Sequence, residues 1–306
     1  MAELNPQNYK SILNTLYHVY PVAFEMPRMQ RRIRELFAPY NQPISLFDLN
    51  IARLYRHNDG LKVAICCMPK SGSTFVLTSL KRVAAFAFDT VHLQSPYMNI
   101  DFVEALSREH EVDELSLLIH EMRGKNWLSH MHTKWTPYTE RIFLSHHIKP
   151  IVTYRNIFDC LVSMDDMFMS GEVDGFSMIR LPKGYRSMPD PERLSFLTNH
   201  AGPWYVDYVV AWSRVRMDCL RLNYETDVVG FGEETARKIY RFLGDTSVSF
   251  ETFLDAFELN DDAAKRSARL NKGVAGRGEK IPVEARDRLK ELARIYEAEA
   301  DFSGLL

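Results

Sequence analysis

The sequence predicts a three-layer α/β domain, with a central, mostly parallel sheet flanked by helices. Three observations predict it. From Leu61 onward, short apolar runs alternate with longer amphipathic stretches. The first apolar run, Leu61–Met68, is rich in Val, Ile and Cys, and its length argues for a buried strand. It leads through Pro69-Lys70-Ser71-Gly72, a turn sequence, straight into a helical pattern.

Residues 1–60 read as a helical N-terminal extension packed on the main domain, which spans 61–306. Leu13, Leu16, Tyr17 and Tyr20 recur at helix spacing, and a second amphipathic stretch covers Met26 to Phe37. Its Arg28, Arg31, Arg32 and Arg34 read as a solvated face. A third stretch runs from about Ile44 to Arg56, and Asn58-Asp59-Gly60 closes the region as a turn. The first strand is Leu61–Met68. A helix carrying Phe75, Val76, Leu80 and Val83 follows Gly72. The pattern then predicts a strand at Trp127–Met131, a helix at Pro137–Ser145, a strand at Ile151–Tyr154 and a helix at Ile157–Phe168. Further on come a helix at Trp204–Val215, a strand at Cys219–Asn223 and helices at Glu233–Leu243 and Val283–Ala300. Residues 170–200, dense in Gly and Pro, read as a long loop or partly helical excursion.

Composition excludes several classes. The chain has 306 residues, 46% hydrophobic and 25% charged, ordinary for a globular protein. Lys plus Arg is 38 and Asp plus Glu is 40, a net charge of −2. A general nucleic-acid binder would carry a basic excess. Any anion must therefore be held by local groups. The cysteines at 66, 67, 160 and 219 form no C-x-x-C, and adjacent Cys66 and Cys67 are poorly placed to bridge each other, so a reducing compartment is expected. Met1–Lys10 lacks the apolar core of a signal peptide, and no apolar run approaches the length of a membrane span. The expectation is a soluble, cytoplasmic protein.

The segment Pro69-Lys70-Ser71-Gly72-Ser73-Thr74-Phe75 joins a strand to a helix. Successive N–H groups in such a loop, with the helix N-terminus, form an anion concavity. Lys70 adds charge, and Ser73 and Thr74 add donors. A plain capped turn is the competing reading. The loop is not the nucleotide-triphosphate loop G-x-x-x-x-G-K-[ST], because its Lys precedes its Gly. A second anchor lies at Thr153-Tyr154-Arg155-Asn156-Ile157-Phe158-Asp159-Cys160-Leu161-Val162-Ser163. Arg155 sits at a strand exit and Ser163 two helical turns on, so both can converge on one phosphate. The competing reading pairs Arg155 with Asp159.

These two segments resemble the 5′-phosphosulfate loop and the 3′-phosphate motif of the sulfotransferases that use 3′-phosphoadenosine 5′-phosphosulfate (PAPS). The resemblance covers roughly residues 61–280 and implies a P-loop-like three-layer fold. It implies that Lys70, Ser71, Gly72, Ser73, Thr74, Phe75, Arg155 and Ser163 bind the nucleotide, with Phe75 near the base. Tyr224, in Asn223-Tyr224-Glu225, falls on the family's adenine-side Tyr. Leu270 to Gly278 resembles the loop that closes over the 3′-phosphate, through Asn271, Lys272 and Gly273. Asn271 departs from the family's Arg, and Arg269 or Arg277 is left to compensate. Trp204 and Trp212 read as core anchors.

Sulfuryl transfer needs a base for the acceptor proton, charge stabilisation for the leaving phosphate, and alignment. His is the commonest base near neutral pH. His130 and His132 end a strand on one face. The family carries Lys-Thr-His here, and the resemblance gives His132 the base role. His130, in place of the family's Lys, either donates to a sulfuryl oxygen or is itself the base. Lys70 is the leaving-group stabiliser, and Ser163 bridges to Lys70 or to the 3′-phosphate. No metal is expected, and Asp165-Asp166 reads as a solvated helix end.

The expected activity is transfer of a sulfuryl group from PAPS, by in-line displacement, to a hydroxyl or amine of a small or lipid-like acceptor. Adenosine 3′,5′-bisphosphate is the product. Neither a nucleic-acid partner nor a membrane span is expected, and a homodimer is left open. A phosphate-loop kinase of a nucleotide or small molecule is the alternative, and an inactive nucleotide-binding protein is the non-enzymatic one.

Overall fold

The structure, a computed structural model, describes residues 60–93, 111–113, 117, 125–171, 173, 175–176, 178–229, 232–244, 247–257 and 276–306. The expected helical extension, the Arg28–Arg34 run, Arg269 and the residues Asn271, Lys272 and Gly273 lie outside the described residues.

The central sheet has five strands: β1 (Lys62–Cys67), β2 (Asp89–Val91), β3 (Trp127–Met131), β4 (Lys149–Tyr154) and, later in the chain, a strand at Leu220–Asn223. Their order across the sheet is β2, β3, β1, β4, then Leu220–Asn223, and every pairing is parallel. The sequence-derived strands match within two residues at each end, except that the short edge strand β2 carried no apolar run to reveal it.

Both faces of the sheet are covered, and β1 shows how. Ala64 and Cys66 point into one core, while Val63, Ile65 and Cys67 point into the other. The period-2 alternation of side chains turns one apolar run into the floor of two cores. On the second face lie α1 (Ser73–Arg82), contributing Phe75, Val76 and Leu80, and helices at Glu233–Leu243 and Phe250–Asp255. On the first face lie α3 (Ile157–Ser170), α4 (Asp190–His200), α5 (Gly202–Ser213) and a helix at Val283–Arg294. The helix α2 (Pro137–Ser145) joins β3 to β4 and is capped by Thr136, whose hydroxyl accepts from Thr139 N–H at 3.0 Å.

Helix α5 holds the sheet edge with polar tips on apolar bodies. Tyr208 donates to the Cys66 carbonyl at 2.9 Å, Tyr205 to the Pro69 carbonyl at 3.2 Å, and Trp212 to the Thr133 carbonyl at 3.0 Å. Buried Tyr and Trp need such partners. The expectation that Trp204 and Trp212 are core anchors is met, since both are buried and Trp204 stacks on Tyr208.

Residues 170–200, expected as a long loop or partly helical excursion, are partly helical. They form the hairpin β5–β6 (Gly175–Phe176 and Ile179–Arg180), a 3-10 turn at Tyr185–Ser187 and the helix α4, which begins at Asp190-Pro191, where proline suits a first helical turn. Asp165 and Asp166 are not a solvated helix end. The Asp165 carboxylate is buried, accepting from Arg193 Nε and Nη2 at 3.0 and 3.1 Å and from the Tyr185 hydroxyl at 2.7 Å. Asp166 pairs with Arg277 at 2.6 Å. The final helix also stops earlier than expected, at Arg294.

Candidate active site

Parallel pairing puts the carboxyl ends of β3, β1, β4 and Leu220–Asn223 side by side. Four segments leave the sheet there: His130 to His132, the loop 68–72, Arg155 and Tyr224. Ligands of open α/β sheets bind at this edge.

The loop is bent by two left-handed residues, Lys70 at φ 68° and Gly72 at φ 78°. A non-glycine residue with positive φ is strained and clusters at functional sites. Alternating left-handed turns gather backbone N–H groups toward one point, and α1 begins there with no acidic residue in its first turn. Gly72 is required twice, because a Cβ on it would lie 2.7 Å from Tyr224 Cδ2. Ser71 is fully buried: its hydroxyl reaches the Met68 carbonyl at 2.7 Å and the Thr153 hydroxyl at 2.6 Å. It shapes the loop from beneath. Thr74 is half-buried in the first turn of α1. Phe75 is buried in the second core, edge-on to Phe257 at 6.0 Å between ring centres.

Arg155 binds the loop directly, its Nη1 donating to the Lys70 carbonyl at 2.9 Å. Its guanidinium lies 4.0 Å from the centre of the Tyr224 ring, a cation–π contact. The pairing with Asp159 also exists, longer, at 3.9 Å. Asp159 accepts from the backbone N–H of Gly276 at 2.8 Å and of Gly278 at 2.7 Å. The carboxylate thus ties the downstream loop to the start of α3. Gly278 lies so close that a Cβ there would stand 2.4 Å from Phe158 Cβ. Ser163 is buried two turns into α3. Lys70 Nζ reaches the same helix at Met167 Sδ, 3.9 Å away.

On the other side of the loop stand the histidines. Leu128 of β3 faces the second core while Met131 faces the first, and His130 shares the side of Leu128. His130 Nε2 is 2.8 Å from Ser73 Oγ and 3.3 Å from Cys67 Sγ. His132 Nδ1 is 3.0 Å from the Cys67 carbonyl and 3.2 Å from Cys67 Sγ, and Phe176 of the hairpin meets its ring edge-on at 5.8 Å. Burial pushes the half-buried His132 imidazole down from 6.5 to about 4; the Cys67 carbonyl opposes the shift and the nearby Lys70 charge adds to it. Burial pushes the Cys67 thiol up to about 12, so it stays protonated. Among the described residues, no group of three or more His, Cys, Asp and Glu is arranged to hold a metal ion.

Sequence reasoning missed Cys67, Asp159 and Tyr205 as parts of the site. Asp159 appeared there only as a rival partner for Arg155. Nothing local marks Cys67 or Tyr205, because each acts across the sheet edge on a residue distant in sequence.

A family model described as Sulfotransferase domain matches residues 61–260. The chain belongs to the sulfotransferase family. The match contains Lys70, His130, His132, Arg155, Ser163 and Tyr224 of this sulfotransferase, and it fixes the class of chemistry as sulfuryl transfer. A search of curated proteins returns no match. Mouse sulfotransferase SULT7A1 complexed with PAP is a similar solved structure, at 16% identity over 82% of this chain and 92% of that one, with a TM-score of 0.49. Retinol dehydratase in complex with androsterone and inactive cofactor PAP is similar at 16% identity, 83% and 86% coverage and a TM-score of 0.47. Sulfotransferase STF1 from Mycobacterium tuberculosis H37Rv is similar at 10% identity, 80% and 80% coverage and 0.39.

Proposed function

We propose that this sulfotransferase moves a sulfuryl group from PAPS to a hydroxyl or amine of a small or lipid-like acceptor, with His132 as the base. The observation that carries the reading is one edge of the sheet where Arg155 grips the Lys70 carbonyl and His132 senses the Lys70 charge.

The residues present suit PAPS. The left-handed pair Lys70 and Gly72, beside an acid-free helix start, is an anion concavity. Lys70 and Ser73 would hold the 5′ end, and Arg155 and Ser163 the 3′-phosphate. PAPS, when bound, supplies an activated sulfuryl group on a phosphate leaving group. The Cys67 carbonyl can only accept, so His132 Nδ1 donates to it and the lone pair is kept at Nε2. Neutral His132 would then take the acceptor proton at Nε2 as the acceptor oxygen or nitrogen bonds to sulfur and the bond from sulfur to the leaving phosphate oxygen breaks. Negative charge held beside Lys70 raises the basicity of His132, countering the depression that burial imposes. Charge developing on the leaving phosphate is met by the Lys70 ammonium and the loop N–H groups. His132 is preferred over His130 as base because Ser73 already engages His130 Nε2. The reading also carries a cytoplasmic location and a small-molecule acceptor.

Transfer of labelled sulfate from PAPS to a panel of hydrophobic alcohols and phenols tests it. Adenosine 3′,5′-bisphosphate should raise the melting temperature and ATP with Mg²⁺ should not; the reverse result would establish the kinase reading.

A further inference from the structure

The proposed reaction leaves one imidazole without a task. His130 stands where the phosphate loop and the base strand touch. Its Nε2 is 2.8 Å from Ser73 Oγ, and Ser73 is buried as the first residue of α1. The neighbouring bonds limit where protons sit. His132 donates from Nδ1 to the Cys67 carbonyl. The Cys67 thiol lies 3.4 Å from the Met131 carbonyl, to which only it can donate. The remaining links meet at His130 Nε2, which is 2.8 Å from Ser73 Oγ and 3.3 Å from Cys67 Sγ, a weak acceptor that the Ser73 hydroxyl also touches. A hydroxyl that donates to the imidazole turns its lone pairs toward the loop concavity and repels an anion. A hydroxyl that accepts from the imidazole turns its own hydrogen outward.

We infer that His130 is a positioning residue that carries its proton on Nε2 and donates it to Ser73 Oγ, aiming the Ser73 hydroxyl hydrogen at the anion held by the phosphate loop. The inference rests on the proposed reaction for its consequence, though not for its geometry. His130 then acts through Ser73 and never takes the acceptor proton. Cys67 is the post between the two imidazoles, its carbonyl setting one ring and its thiol spacing the other.

The test has two arms on the full chain. In the first, ¹⁵N resonances of the histidine side chains are recorded for the wild type and for Ser73→Ala. A protonated His130 Nε2 in the wild type, displaced by Ser73→Ala while His132 stays unmoved, is expected. An unprotonated Nε2, or no response to Ser73→Ala, overturns the inference whatever the enzyme's substrate proves to be. In the second arm, PAPS turnover is measured for His130→Ala, Ser73→Ala and the double variant. Each single change should lower kcat about tenfold with the acceptor KM held, as loss of one charge-assisted hydrogen bond does. The double variant should be no slower than either. His130→Gln, whose amide can still donate, should recover most of the loss. Additive losses, or complete loss in His130→Ala with turnover surviving in His132→Ala, would overturn it and make His130 the base. A wild type that neither binds adenosine 3′,5′-bisphosphate nor uses PAPS would remove the proposed reaction and leave the first arm standing.

Discussion

The Arg155 guanidinium donates from Nη1 to the Lys70 carbonyl at 2.9 Å. A charge leaving β4 is thereby fastened to the loop leaving β1, and the two segments proposed to hold the nucleotide phosphates are joined. The same guanidinium lies over Tyr224, which packs on Gly72. The planar fork of Arg reaches carbonyl and ring together, and a Lys ammonium cannot. Arg155→Ala is expected to weaken adenosine 3′,5′-bisphosphate binding by about 10- to 100-fold, the range for a hydrogen bond to a charged group. Arg155→Lys should recover only part of this. Calorimetric affinity equal to the wild type in Arg155→Ala would separate Arg155 from the nucleotide.

Gly72 combines a φ of 78° with contact against Tyr224. Gly72→Ala should cost about 2 kcal/mol or more, from left-handed strain and from the overlap. Tyr224→Ala removes the closest overlap and leaves the strain and a tight contact with Val228 Cγ1 at 3.0 Å. The second substitution should therefore cost less in the Gly72→Ala background than in the wild type. Denaturant midpoints of the four proteins measure this, and strict additivity would show that the ring is not what the added methyl group strikes.

The depressed His132 sets a pH signature. Its folded value of about 4 lies below the ordinary 6.5, so between these values the unfolded chain binds more protons. Stability should fall as pH drops from 6.5 toward 4, and His132→Gln should flatten part of that slope. In activity, the acid limb of kcat/KM reports the free enzyme and should fall near pH 4. The limb of kcat should lie higher, because bound negative charge favours the imidazolium. A kcat/KM limb at the ordinary histidine value would place the working base in a more solvated position than His132.

The layered fold was legible because β1, β3 and β4 are short apolar runs and the helices between them carry their own boundaries. Pro137 and Glu233 mark starts that the structure keeps to the residue. Lys70, Gly72 and Arg155 were legible because strand-end chemistry is written in consecutive residues. The remainder depends on contacts across the sheet. β2 is three residues long at an edge, too short to show a period. Asp165 looked solvated because its partners, Tyr185 and Arg193, arrive from a Gly- and Pro-rich stretch that masked the start of α4. Phe75 matched an aromatic position of the family motif, yet helical phase turns it into the core beside Phe257. The Asp159 clasp joins positions more than a hundred residues apart, and no local pattern announces it.

That clasp gives the last prediction. Asp159 is buried and accepts from two backbone donors, Gly276 and Gly278. Asp159→Ala strands both N–H groups and leaves Arg155 without its nearby carboxylate, a cost of about 2 to 4 kcal/mol. Its effect on nucleotide affinity is confounded with that loss of stability. Gly278→Ala separates the two. It keeps every charge, but its Cβ would stand 2.4 Å from Phe158 Cβ and must push the loop off α3. If the clasp positions the loop for the 3′-phosphate, Gly278→Ala should weaken adenosine 3′,5′-bisphosphate at least tenfold while leaving the acceptor KM unchanged. Affinity at the wild-type level in a folded Gly278→Ala protein would mean that the clasp serves the fold and not the ligand.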